Sequence, residues 1–210
     1  MTTLICVVGK SGSGKSTFSK LLAENLKGKA INIDEIGHSI YDNPNFVDFI
    51  IKTFGQDFVN REGKIIDRKM IGDYIFSNKN SEKVQAFNKV SWNLMQERIE
   101  EKLQNIEENY VILDWYNLQN TKYFEDADYK ILVKPQDEEQ RMMIVRLRDN
   151  VSSEYLEKRE NNGILYNDED YNHIFINTYE DQKTIEYAKQ LAETIKVYTK
   201  SYIIEDNIKD

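Results

Sequence analysis

Apolar residues recur along this chain in two rhythms, and the two alternate. Leu4-Ile5-Cys6-Val7-Val8 is a short unbroken apolar run, the pattern of a fully buried strand. Phe18, Leu21, Leu22 and Leu26 then return at helical spacing, and Gly28 predicts the stop. Ala30-Ile31-Asn32-Ile33-Asp34 predicts a second strand that ends on a carboxylate. Asn43-Pro44-Asn45 reads as a turn opening an amphipathic helix through Phe46, Phe49, Ile50 and Phe54, stopped at Gly55. Asn60-Arg61-Glu62-Gly63 reads as another turn, with Asp67 as the N-cap of the helix that follows. A stripe including Val84, Phe87, Ile99 and Leu103 predicts one long helix from Lys79 to Glu108, with a break near Ser91. Strands are expected again at Tyr110–Asp114, Lys130–Val133 and His173–Asn177. Pro135 is expected to begin a helix through Arg148, and Thr178–Thr199 a closing helix. This alternation predicts an α/β fold, a mostly parallel sheet with helices on both faces.

The loop between the first strand and the first helix carries the chemistry. Gly9-Lys10-Ser11-Gly12-Ser13-Gly14-Lys15-Ser16-Thr17 follows G-x-x-x-x-G-K-S, the phosphate-binding P-loop pattern, in the required strand–loop–helix setting. Its glycines allow close backbone approach, and its N–H groups and the helix N-terminus face an anion. Gly9, Ser11, Gly12, Ser13, Gly14, Lys15, Ser16 and Thr17 are the candidate nucleotide contacts. Lys15 is expected to reach the β- and γ-phosphates, and the Ser16 hydroxyl to hold Mg²⁺. Ligands of open α/β sheets gather at the carboxyl ends of strands, so Asp34 is a candidate base or metal-orienting carboxylate. A helix N-cap is its other reading. Asp114, closing an apolar strand, resembles a second carboxylate that positions Mg²⁺. Arg68 reads as an anion clamp or a surface ion pair. Arg141, Arg146 and Arg148 suit a lid closing on phosphates, or an exposed basic face.

Composition narrows the partners. Among 210 residues 40% are hydrophobic and the formal charge is −8, which argues for a packed core and against a generic nucleic-acid surface. One cysteine excludes an intrachain disulfide framework. No apolar run reaches the roughly 18 residues of a membrane span. With no N-terminal signal read ahead of the first strand, a cytoplasmic protein is expected. A single domain, 1–210, is expected, with a helical acceptor-side segment at about 44–108 and a lid at about 141–163.

Several motifs together resemble the dephospho-CoA kinase family, from about Thr3 to about Ile195. They are the P-loop, Asn32-Ile33-Asp34 against D-x-D, Phe54-Gly55, Glu62-Gly63, Ile66-Asp67-Arg68, Ile75-Phe76, Arg148-Asp149-Asn150-Val151-Ser152, and a late strand ending on Asn177. The resemblance implies ATP and Mg²⁺ as cofactors, with dephospho-CoA as acceptor. It also implies Asp34 as base for the ribose hydroxyl, Arg68 on the acceptor side and Arg148 in the lid. With Lys15, Asp34 and Arg148 form the expected catalytic set. Asp34, Arg68, Trp92 and Asp114 form the expected substrate-binding set. The chain departs from the family at Asn32 (Asp in D-x-D), at Ser91-Trp92 (His-Pro), after Asp114, where Trp115-Tyr116-Asn117-Leu118 lacks the Glu, and at Gly163 (Gln). Those departures keep a nucleoside or nucleotide kinase open as an alternative, with a non-catalytic ATP-binding regulator a third reading.

Overall fold

A computed structural model describes residues 2–60, 66–78, 81–152, 156 and 164–206, the side chains of 76 and 200–206 apart. The expected turn at 61–63 and most of the lid segment beyond 152, with Gly163, lie outside these residues. The chain divides into two compact units, one formed by Met1–Asn32 with Glu107–Asp210 and the other by Ile33–Ile106.

The first unit is built on a five-stranded sheet in the order β2-β3-β1-β4-β5. The strands are β1 (Thr3–Val8), β2 (Lys29–Asn32), β3 (Tyr110–Asp114), β4 (Tyr129–Pro135) and β5 (His173–Asn177). Every ladder is parallel. Its strands are therefore joined by crossovers and covered by helices, which explains their near-continuous apolar runs. Successive side chains alternate between faces. Ile5, Val7, Ile112, Ile131, Val133 and Phe175 join a core with Phe18 and Leu22 of α1 (Lys15–Leu26). The same core takes Ala188, Leu191 and Ile195 of the closing helix. Phe18 stacks on Phe175 with ring centroids 4.5 Å apart. Cys6 is wholly buried, its thiol against the Tyr123 carbonyl, and burial pushes it up to about 12, so it serves as a small apolar residue.

The second unit is helical: α2 (Ile33–Ser39), α3 (Pro44–Phe54), α4 (Arg68–Ser77) and α5 (Glu82–Gln104). The local signals act as read. Asn43 caps α3 through the Asn45 amide with Pro44 in the first turn, and Asp67 caps α4 by accepting from Met70 N–H at 2.9 Å. Phe46, Ile50, Ile71, Val84 and Phe87 are buried in this unit, with Phe46 and Phe87 rings 5.7 Å apart. Ser91 lies within α5, which runs unbroken as one helix.

Three expectations need correction. Asp34 is not on a strand: β2 stops at Asn32, and Asp34 with Glu35 forms the first turn of α2, where carboxylates meet the positive helix end. Pro135 does not begin a helix. It closes β4, and the next helix, α7 (Glu138–Asp149, after the short α6, Lys122–Glu125), is capped by Asp137 through the Glu139 and Gln140 amides. The first helix ends at Leu26, two residues before its expected glycine, with Lys27 in the left-handed conformation at φ 54°. The closing helix, α8, spans Asp181–Asp206. Among the described residues no helix is long and apolar enough to cross a membrane.

Candidate active site

The P-loop leaves the central strand β1 at its carboxyl end and runs into α1. Gly12 and Gly14 sit at φ 79° and 86°, where side chains are strained. Space is as tight: a Cβ on Gly14 would lie 2.1 Å from Asn177 Nδ2, and one on Gly12 2.4 Å from Val145 Cγ2. No side-chain hydrogen bond caps α1 at Gly14. Lys15, first residue of that helix, is only 7% exposed. Ser16 follows, half-buried, and Thr17 is exposed. Within the loop, Ser13 Oγ is buried without a hydrogen-bond partner among the described residues.

The neighbouring strand brings a carboxylate to the same rim. Asp114, 2% exposed, ends β3 with Val7 across from it on β1 and Asn32 on β2. Trp115 is buried beyond it. Tyr116 is 44% exposed and meets Trp115 edge-on at 5.3 Å.

Of the three arginines read as a lid, two reach the loop in different ways. Arg148 donates from Nη2 to Ser11 Oγ at 3.0 Å while pairing with Asp149 at 2.7 Å. Arg141 is wholly buried, and its Nη1 donates to the Ser11 carbonyl at 2.7 Å. Glu138 ties the cluster together, meeting Arg141 at 2.8 Å and Lys10 at 3.0 Å. Arg146 is exposed.

The hydrogen bond from Arg141, with a further one from Lys10, holds the Glu138 carboxyl below its ordinary 4.5. A carboxyl lowered on folding stabilises the protein above its unfolded value, and that contribution disappears as pH falls through the folded one. Melting temperature is therefore expected to drop more steeply in wild type than in Glu138→Gln as pH falls from about 5 to about 3. Parallel pH profiles of melting would remove Glu138 as the source.

The second unit holds the remaining candidates. Asp34 is half-buried on α2, and Trp92 half-buried on α5. Arg68 begins α4, with Nη2 3.4 Å from the His38 carbonyl and its guanidinium 5.1 Å from the Tyr41 ring centre. Burial pushes the Tyr41 phenol up, with the Arg68 cation opposing. Arg98, not singled out from sequence, donates to Ser39 Oγ.

A family model for dephospho-CoA kinase matches residues 3–170, most of the chain. The chain belongs to the dephospho-CoA kinase family. That membership places it among ATP-dependent kinases, which are transferases. A dephospho-CoA kinase of Fusobacterium nucleatum is 33% identical over 162 residues, 73% of this chain and 79% of that protein. One from Dehalococcoides mccartyi is 32% identical over 96 residues, so the match spans 46% of each chain, under half the length of that relative. A solved structure from Thermus thermophilus shares the fold at 22% identity, with 92% of this chain and 97% of that one covered and a TM-score of 0.76.

Arg141 as a buried residue, Tyr179 and the Lys10–Glu138 pair escaped the sequence reading. The only linear signal for the cluster was Glu138 three residues before Arg141, a spacing that helices use for surface pairs as well.

Proposed function

We propose that the chain transfers the γ-phosphoryl group of ATP, with Mg²⁺, to a small-molecule hydroxyl, and that the acceptor is 3′-dephospho-CoA. The observation that carries this reading is the phosphate loop: left-handed Gly12 and Gly14 opening α1, with Lys15 buried and Arg148 on Ser11. The acceptor is inferred from the dephospho-CoA kinases of Fusobacterium nucleatum and Dehalococcoides mccartyi to which the chain is similar.

In this reading the loop amides and Lys15 bind the β- and γ-phosphates and stabilise charge that builds there during transfer. Ser16, Asp34 and Asp114 would supply, directly or through water, the oxygen donors that a hard cation prefers. Mg²⁺, when bound, neutralises phosphate charge. Asp34 takes the proton from the acceptor hydroxyl, Arg68 and Trp92 recognise the acceptor, and Arg148 belongs to a lid at about 141–163 that excludes water. The chain acts as a single kinase domain in the cytoplasm and has no nucleic-acid or membrane partner.

A nucleoside or nucleotide kinase is the second reading. The exposed Tyr116 face beside Trp115, and Ser91-Trp92 in place of the family's His-Pro, favour it as stacking surfaces for a base. An acceptor screen by ADP release separates the two. Dephospho-CoA is expected to support turnover above nucleosides and nucleoside monophosphates. ADP release with a nucleoside and none with dephospho-CoA would hand the assignment to the second reading.

A further inference from the structure

Three successive carbonyls of the P-loop each accept a hydrogen bond from a different distant side chain. Arg141 Nη1 donates to Ser11 O at 2.7 Å, the Tyr179 hydroxyl to Gly12 O at 3.0 Å, and Asn177 Nδ2 to Ser13 O at 2.9 Å. A trans peptide is planar, and its N–H points opposite to its C=O. Holding these carbonyls therefore fixes the N–H directions of Gly12, Ser13 and Gly14. The Ser13 N–H turns back to the Lys10 carbonyl at 3.1 Å. Those of Gly12 and Gly14 are aimed away from the braces, as an anion-binding concavity requires.

The braces are themselves held. Both oxygens of Glu138 accept from Arg141, at 2.8 and 2.9 Å. Asn177 is 5% exposed, and its Oδ1 accepts from Tyr179 N–H at 2.9 Å and from Thr184 Oγ1 at 3.5 Å. Tyr179 stands in the left-handed region at φ 61°, an outlier for a bulky residue. Backbone outliers of this kind gather at functional sites. Here the turn follows directly from the Asn177 bond and carries the phenol to Gly12.

We propose that Arg141, Asn177 and Tyr179 are positioning residues that set the P-loop amides in their anion-binding orientation before ligand arrives. A ligand that meets ordered amides does not bear the cost of ordering them. The proposal rests on the reading of Gly9–Thr17 as the phosphate site. Burial pushes the Tyr179 phenol up, so the hydroxyl remains a donor across the neutral range.

Tyr179→Phe removes only the hydroxyl. In the full chain, calorimetric titration with ATP and with inorganic tripolyphosphate is expected to show affinity about 3- to 10-fold weaker than wild type, the scale of one neutral hydrogen bond. Adenosine affinity is expected to stay unchanged, while the KM for ATP rises and that for the acceptor does not. Arg141→Lys keeps the cation but loses the fork, and is expected to show the same phosphate-selective loss. Unchanged ATP affinity in Tyr179→Phe, or equal losses for ATP and adenosine, would overturn the proposal. Wild type that binds ATP but phosphorylates no acceptor defeats the kinase reading alone, since the titrations still report on the braces. Wild type that binds neither ATP nor tripolyphosphate overturns both.

Discussion

Replacing Lys15 with alanine is expected to lower phosphoryl transfer by about 10²–10³-fold or more, the scale on which one preorganised donor to developing charge acts. The argument starts from burial. Lys15 is 7% exposed, and a cation in such a setting interacts with phosphate more strongly than one in bulk water. It is also the first residue of α1, directly after left-handed Gly14, so its backbone is set by the loop proposed to bind the phosphates. The loss is expected mainly in kcat, because charge on the transferring group is greatest in the transition state. Steady-state ADP release, with melting to verify the fold, checks it. A folded Lys15→Ala variant with full turnover would refute the phosphate-site assignment.

The second large effect is expected at Asp34. Asp34→Asn keeps shape and removes a proton acceptor, so turnover should fall by about 10²–10⁴-fold, the usual contribution of a positioned base. Binding of ATP should be unaffected, since the phosphate loop is built from other residues. The structure places Asp34 in the first turn of α2, two residues past the end of β2. The check is single-turnover transfer beside an ATP titration. Equal rates in the two proteins would remove Asp34 from the base role, and weakened ATP binding would make it a nucleotide contact instead.

The strands were legible because buried parallel strands are uniformly apolar. Tyr110–Asp114 and His173–Asn177 could be bounded because each apolar run closes on a polar residue, Asp114 or Asn177. The caps at Asn43 and Asp67 were legible because capping is local chemistry. What failed depends on tertiary setting. Ile33 continues the apolar run of β2 in sequence, but it is buried as a helical residue, and no local signal divides Asn32 from it. Pro135 carries a helix-start preference, yet it is tolerated as the last residue of a ladder, where few further bonds are owed. The Gly9–Thr17 motif is linear, so its pattern is legible in the sequence. Its support is not linear: Arg141 looks like any basic helix residue until the fold buries it under Ser11, and nothing near Tyr179 announces a left-handed turn.

The strand order has a consequence for how the chain is made. β1 pairs with β3 and β4, and β2 pairs with β3, so the first two strands have no ladder with each other. During vectorial synthesis both leave the ribosome before either has a partner. The whole stretch Ile33–Ile106 is then made before Tyr110–Asp114 follows. That stretch carries its own apolar centre, and contacts between near-neighbour helices form faster than non-local strand pairing, so it is expected to compact first. Its compaction shortens the effective tether between β2 and β3, and so lowers the entropy lost when β3 docks. β3 is thus the strand on whose emergence sheet assembly turns: it gives β1 and β2 their first common neighbour, before β4 and β5 extend the other edge.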